Sequence, residues 1–280
     1  MNVHAPVLEP VDCGVCGADD AKPWGQENGY HAVKCRHCGL VYVNPRPRAE
    51  FISAATRTGL HPTDTGEMNV QTKRSRAKIG HYASVIGRHF RQELKAPISW
   101  LDVGAGYGEL VEAVQLVATP WSTVSGVEPM AAKARVAVAR GLAVQDGTLA
   151  DVRDRYDVVS LINVFSHVPD FRAFCDDLRA HLKPGGCLFL ETGNGGDLER
   201  RSDYPDRLYL PDHLVFIGVE QMRRLLDRAG FDLVAVEEVA PAPLSRFKNL
   251  AKTVVDGRWQ LAAALRSPFR SVFFKAKMRS

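Results

Sequence analysis

The sequence holds no uninterrupted run of about 18 apolar residues, which excludes a transmembrane helix built from a continuous hydrophobic stretch. Its first ten residues, MNVHAPVLEP, lack the basic-then-apolar pattern of a secretory signal, so the expected compartment is the cytoplasm. Nor is the composition extreme. Apolar residues make up 45% and charged residues of both signs 24%, which excludes wholesale disorder. Cysteine is sparse, with six in 280 residues. A chain of this length buries a core without disulfide staples. It suits one large domain, or one domain with a small appendage.

What is present is unevenly spread. The formal net charge of +4 hides a split between the C-terminal 40 residues and the rest. Residues 241–280 carry nine Lys or Arg against Asp256 alone, a net +8, and the other 240 residues net −4. Within the basic segment, 241–268 reads as an amphipathic helical insertion. Phe247, Leu250, Ala251, Val254, Val255, Trp259, Ala262 and Leu265 form one face. A packed helix with a solvated basic face is the plainest reading. Peripheral contact with an anionic membrane or glycan precursor is the other.

Four of the six cysteines form two identical units, Cys13-Gly14-Val15-Cys16-Gly17 and Cys35-Arg36-His37-Cys38-Gly39. Two residues between cysteines let one tight turn aim both sulfurs at one ion. The following Gly permits the positive φ that such a turn needs. Two such knuckles make a closed, tetrahedral, structural zinc site of Cys13, Cys16, Cys35 and Cys38. Residues 1–48 thus read as a zinc ribbon whose strands come from Tyr30, Val33 and 40–43, ended by Pro45 and Pro47. A ribbon this small needs the metal to fold. His31 and His37 are spare ligands, and Cys175 and Cys187 read as packing residues.

Residues 49–97 read as a connector or lid, loop-like in its first half and helical over 70–95. From 98 onward short apolar runs alternate with helical stretches, the signature of an α/β fold with a parallel sheet. Strands are expected at 98–103, 122–128, 141–146, 156–162, 186–192, 231–239 and 270–278. Helices are expected at 107–118, 130–139, 170–182 and 218–229. Pro184-Gly185-Gly186 reads as a stop between a helix and a strand.

Between the first strand and helix stands Leu101-Asp102-Val103-Gly104-Ala105-Gly106-Tyr107-Gly108-Glu109-Leu110. Glycines there let the backbone turn sharply and approach a ligand. Glu128 closes the second strand, where an acid can accept from both hydroxyls of a ribose. Three details separate the adenosine cofactors. Glu109 occupies the third glycine position of the nicotinamide fingerprint. An acid at a helix start repels a pyrophosphate. Asp146, followed by Gly147, can accept from an adenine amino group. These details favour S-adenosylmethionine.

Here a resemblance enters. Residues 98–192 resemble a class I S-adenosylmethionine-dependent methyltransferase, through LDVGAGYGEL, GVEP, QDGTL, YDVVSLINVFSHVPD and LKPGGCLFLET in that order. With the ribbon ending CGLVYVNPRP, the chain is similar to a subgroup of sugar, glycan or small-metabolite methyltransferases. The resemblance implies a Rossmann-like, seven-stranded, mostly parallel sheet with the last strand antiparallel, in a domain spanning 98–280. It implies that Gly104, Gly106 and Gly108 line the methionine part and that Asp102 orients the amino group. Glu128 would hold the ribose, Pro129 and Met130 would flank the adenine, and Asp146 and Gly147 would fix its amino edge. Asn163 would lie next to the sulfonium, at a position often acidic in relatives.

Methyl transfer to a hydroxyl or carbon acid needs a base, and His suits neutral pH. His213 is the first candidate and His167 the second, each following a strand of the expected sheet. A hydrogen-bonded structural role is the alternative for both. The long 193–213 loop suits binding of the acceptor, a small molecule or sugar, and its Tyr204, Tyr209 and Asp212 read either as shaping that pocket or as surface loop residues. The chain lacks an Asn/Asp-Pro-Pro-Tyr sequence and has no Cys in 163–166. That discounts exocyclic nitrogen and pyrimidine carbon as methyl acceptors. An RNA methyltransferase using Lys73-Arg74-Ser75-Arg76 on phosphates, and a non-catalytic zinc protein that binds the cofactor, are the competing readings. The acidic body disfavours nucleic acid.

Overall fold

The computed structural model describes residues 6–70, 73–240 and 267–279. The expected insertion at 241–268 therefore lies outside the described residues, apart from its last two.

Seven strands make the main sheet: β1 (Ser99–Val103), β2 (Thr123–Glu128), β3 (Val144–Asp146), β4 (Tyr156–Ile162), β5 (Leu182–Gly193), β6 (Phe231–Val239) and β7 (Ser271–Met278). Their order is β3-β2-β1-β4-β5-β7-β6. Pairs from β3 through β5 are parallel, and β7 runs antiparallel to both β5 and β6. Side chains alternate between the faces of a strand, and this alternation makes two cores. Trp100, Phe189 and Phe273 point to one face and meet α2 (Arg76–His89), α3 (Glu109–Val117) and α4 (Ala131–Val138). Leu101, Leu188 and Phe274 point to the other and meet α5 (Phe171–Ala180) and α6 (Val219–Arg228). The strand order reverses between β1 and β4, so a crevice opens there at the carboxyl ends of the strands.

Three local expectations change. The first half of 49–97 is a helix, α1 (Ala49–Thr58), followed by a hairpin of Leu60–Thr63 against Gly66–Asn69. Gly59 and Pro62 punctuate these elements from outside the helix. Gly59 takes φ 72° as the C-cap, and its N–H donates to the Ala55 carbonyl. Next, Pro184-Gly185-Gly186 does not precede β5 but bulges within it, because the register jumps from Tyr156↔Leu182 to Val158↔Cys187. Helix α5 stops earlier, at Ala180.

The third change concerns the ribbon. Its strands Ala21–Glu27, Tyr30–Cys35 and Val41–Val43 gain a fourth, Val215–Phe216, from the body. Cys13, Val15, Leu40 and Tyr42 pack in the same cluster as Leu101 and Leu188. The ribbon's core is thus continuous with one face of the main sheet, so burial supports it as well as any metal.

Candidate active site

A cavity of about 610 Å³ opens at the carboxyl ends of β1, β2 and β4. Its floor begins where β1 meets the glycine turn. Gly104 takes φ 74°, and a Cβ there would lie 2.4 Å from Val164 Cγ2, so only glycine fits. The Gly106 N–H donates to Glu128 Oε2 at 2.7 Å, and the Met130 N–H donates to Glu128 Oε1 at 2.9 Å. Glu128 is buried and braces the turns after β1 and β2 together. Each of its oxygens keeps a further lone pair for a ligand.

Asp102 is buried beneath this turn and accepts from Ser160 Oγ at 2.7 Å. Burial pushes its carboxyl up to about 7, against the Ser160 hydrogen bond, and repulsion from Glu128 and Glu109 adds to the rise. Three buried carboxylates around one cavity wall suit a cationic ligand. Glu109 also accepts from the Ser75 N–H at 3.0 Å, which ties the start of α3 to the start of α2.

The expected cofactor residues divide. Asp102, Gly104, Gly106, Glu128, Pro129, Met130, Gly147 and Asn163 all line the cavity. Asn163 takes φ 56° and presents its side chain beside Glu191, with Nδ2 3.3 Å from Oε2. Two residues lie off the wall. Gly108 faces the protein, where a Cβ would meet Leu142 at 2.4 Å and Ala137 at 3.3 Å. Gly108 also takes φ 82° at the start of α3, so both its conformation and its close packing require glycine. Asp146 is exposed at the end of a three-residue strand, next to Gly147, Thr148 and Leu149 of the cavity lining.

The two expected histidines stand in the wall of the same cavity. His167 sits on a 3-10 turn after β4 (Phe165–His167), and its Nδ1 lies 2.8 Å from the Asp212 main-chain carbonyl. A carbonyl only accepts, so in the neutral ring Nδ1 carries the proton and Nε2 the lone pair, with the Asn163 main chain also close to the ring. Nδ1 also lies 3.1 Å from Asp212 Oδ1. Burial pulls the His167 pKa down, but the Asp212 carboxylate overcomes it and leaves it raised. Asp212 is held far below the usual carboxylate range, because His167 outweighs the opposing effect of burial. The His213 ring lies 5.0 Å from that of His167, and burial with His167's charge lowers it to about 4. Both histidines line the cavity, with the His167 ring held at Nδ1 by the Asp212 main chain and the His213 pKa lowered by burial.

Two parts of this wall escaped the sequence reading. His61, on the hairpin after α1, is buried with Nε2 3.1 Å from Asp212 Oδ1. Nothing in its spacing marks it. Ile52, Ala55 and Thr56 of α1 close the cavity from above, a helical face hidden by the loop reading.

Across the molecule, Cys13 Sγ lies 3.4 Å from Cys38 Sγ and Cys16 Sγ 3.6 Å from Cys35 Sγ. All four sulfurs fall within 4.8 Å of one another. A tetrahedral zinc with 2.3 Å bonds has sulfur edges of about 3.8 Å, so the donor set fits that ion. Contact with Cys38 draws the Cys13 thiol down to about 5. His31 and His37 stand outside this cluster. Burial raises both Cys175 and Cys187, in keeping with packing roles.

Comparison with known proteins agrees with this geometry. Residues 75–236, more than half of the chain, match the family described as methyltransferase domain. A ubiquinone biosynthesis O-methyltransferase of Methylobacterium nodulans is 27% identical over 226 residues, covering 71% of this chain and 83% of the relative. One from Paramagnetospirillum magneticum is 36% identical over 127 residues, covering 41% of this chain and about half of the relative, 48%. Among solved structures, the YcgJ protein of Bacillus subtilis superimposes with a TM-score of 0.53 at 16% identity, over 72% of this chain and 99% of the other. The [4+2]-cyclase SpnF gives 0.52 at 17% identity, over 71% and 81%. These two show the fold alone. With the strand order and the glycine turn, the family match identifies the chain as a member of the methyltransferase-domain family, an S-adenosylmethionine-dependent methyltransferase with the class I Rossmann-like fold.

Proposed function

We propose that this chain methylates a hydroxyl of a small molecule, with His167 as the base. The observation that carries the proposal is the main-chain carbonyl of Asp212, which fixes the Nδ1–H form of His167. The ring lines the same cavity as Asp102 and Glu128. S-adenosylmethionine, when bound, supplies a methyl group on a sulfonium. The chain's own residues hold, orient and deprotonate. Asp102, Gly104, Gly106 and Asn163 would hold the methionine part. Glu128 would take the ribose hydroxyls, and Pro129, Met130 and Gly147 would enclose the adenine. His167 Nε2 takes the acceptor proton, and the Asp212 carboxylate stabilises the resulting cation.

The acceptor class follows from the remaining wall. Ile52, Ala55, Val70, Val168 and Phe174 present apolar surface beside the histidines. That suits the C–H face of a sugar or glycan precursor, or a phenolic ring. The curated relatives are named for oxygen methylation. An RNA acceptor is less suited, because Arg74 of the basic tetrad is paired with Glu112 at 3.1 Å. Zinc on the four cysteines would be structural, and a cytoplasmic site of action fits this chemistry. No helix among the described residues is long and apolar enough to cross a membrane. Contact of the basic C-terminal segment with an anionic surface stays part of this reading.

The test is a labelled-methyl assay with the full chain against phenols, nucleotide sugars and total RNA in parallel. Label is expected in the small-molecule arms as an alkali-stable ether. Transfer to RNA alone would overturn the small-molecule reading. Elemental analysis of the same preparation is expected to give one zinc per chain. Retention of that zinc in Cys35→Ser with Cys38→Ser would refute the four-thiolate site.

A further inference from the structure

The Asn28-Gly29 turn joins the ribbon strands Ala21–Glu27 and Tyr30–Cys35. Both residues have positive φ, 55° and 82°, as a two-residue type I′ hairpin turn requires. The turn lies far in sequence from the cavity but touches both segments that carry its acidic and histidine side chains.

Glu27 makes the first contact. Its Oε2 accepts from the Leu208 N–H and its Oε1 from the Tyr209 N–H, each at 2.9 Å. Tyr209 takes φ 57°, a conformation that a residue with a side chain rarely adopts unless its surroundings impose it. The two amides are held by a carboxylate that is 11% exposed. Asn28 Nδ2 then donates to the Leu210 carbonyl at 2.6 Å. Three consecutive residues ahead of Pro211-Asp212-His213 are thus fixed by one turn. The His213 N–H returns to the Tyr209 carbonyl at 3.1 Å, which carries that constraint into the site.

The second contact reaches the His61 hairpin. The Tyr30 hydroxyl donates to the Pro62 carbonyl at 2.9 Å, and the Asp64 N–H donates to the Asn28 carbonyl at 3.3 Å. His61 Nε2 and His167 Nδ1 both face Asp212 Oδ1. The N-terminal module therefore reaches Asp212 from two sides.

We infer that the Asn28-Gly29 turn is a positioning element of the acceptor half of the site, acting through Glu27 on the Asp212 loop and through Tyr30 on the His61 hairpin. The inference rests on the reading of His167 and Asp212 as the acid–base pair. The cofactor half has separate supports, because Gly106 and Met130 are braced by Glu128. Loss of the turn's contacts should loosen one half and leave the other intact.

The experiment compares full-length wild type with Glu27→Ala, Glu27→Gln and Tyr30→Phe. Calorimetry with S-adenosylhomocysteine reads the cofactor half. Amide hydrogen exchange at Leu208 and Tyr209 reads the loop, and NMR titration of the His167 ring reads its contact with Asp212. Asp212 and His213 are the titratable groups beside that ring, with the Asn163 backbone on its own turn, and His61 reaches the pair through Asp212 Oδ1. In Glu27→Ala, exchange at both amides should rise by about tenfold or more, as for the loss of charge-assisted hydrogen bonds. His167 should then titrate at lower pH, with cofactor affinity changed by less than about twofold. Glu27→Gln retains an acceptor oxygen and should restore much of the protection. Tyr30→Phe should shift the His167 titration in the same direction without raising exchange at Leu208. Wild-type exchange and titration in all three variants would overturn the inference, as would equal loss of cofactor binding and loop protection. A turnover unaffected by His167→Ala would instead sink the base assignment, with the exchange results unaltered.

Discussion

His167→Ala is expected to lower kcat by about 10²–10⁴-fold, the range a positioned general base contributes, with little change in S-adenosylmethionine affinity. The side chain lines the cavity and pairs with Asp212 rather than with Asp102 or Glu128, so its loss should remove proton transfer rather than the supports of the cofactor residues. Asp212→Asn should cost less. The 212 carbonyl still fixes the Nδ1–H tautomer in that variant, and only the carboxylate charge is lost. The sign of the pH dependence follows. A base acts unprotonated, and Asp212 raises His167 above its ordinary value of 6.5. The rate should therefore climb with pH through a pKa above 6.5. In Asp212→Asn that limb should move to lower pH as the cation loses its partner. His213→Ala should leave the limb near its wild-type place, because His213 is already lowered to about 4. Steady-state kinetics of the three variants from pH 5 to 9 decides the matter. A rate that survives His167→Ala but collapses in His213→Ala would reverse the assignment.

The glycine turn, the acid closing β2 and the paired cysteine knuckles were legible in the sequence because each is a local device. A positive φ needs Gly, a strand end needs its acid within one residue, and two sulfurs need one turn. The main sheet was legible because buried parallel strands read as apolar runs. The histidine wall was not legible to the same degree, because it is assembled over long range. His61, His167 and Asp212 come from a hairpin, a strand end and a distant loop, and only the fold unites them. Gly108 and Asp146 occupy the expected places in the sequence, and the structure adds what the motif does not carry, the close packing of Gly108 on Leu142 and the exposure of Asp146 beside cavity-lining Gly147. Helix α1 was hidden for another reason. Its ten residues include three threonines and serines, and two of them, Thr56 and Thr58, bond back to carbonyls four residues earlier. A composition that suggests a loop is accommodated in a helix by those local bonds.

Affinity for S-adenosylmethionine is expected to rise with pH on the order of tenfold between pH 5.5 and 7, and Asp102→Asn should flatten that rise. Asp102 is fully enclosed and its carboxyl is pushed to about 7 by burial, with Glu128 and Glu109 adding repulsion. Without ligand the group is mostly protonated at pH 5.5 and half ionised near 7. A cationic ligand favours the ionised form, so binding must first release the proton at low pH. Stability of the ligand-free protein should run the other way. The folded pKa lies above the unfolded value of 3.8, so the folded state holds the extra proton between the two. Stability therefore falls as pH rises from about 4 to about 7, by an amount on the order of 4 kcal/mol from this group alone. Asp102→Asn keeps a partner for Ser160 Oγ while removing the charge, and should raise the Tm at pH 7.5. It should also weaken cofactor binding at that pH, where the ionised carboxylate would have met the cation. Calorimetric titration and thermal unfolding from pH 5.5 to 7.5 read both trends on one preparation. A pH-independent affinity in the wild type, or an unchanged slope in Asp102→Asn, would show that the cation of the cofactor is met by another group.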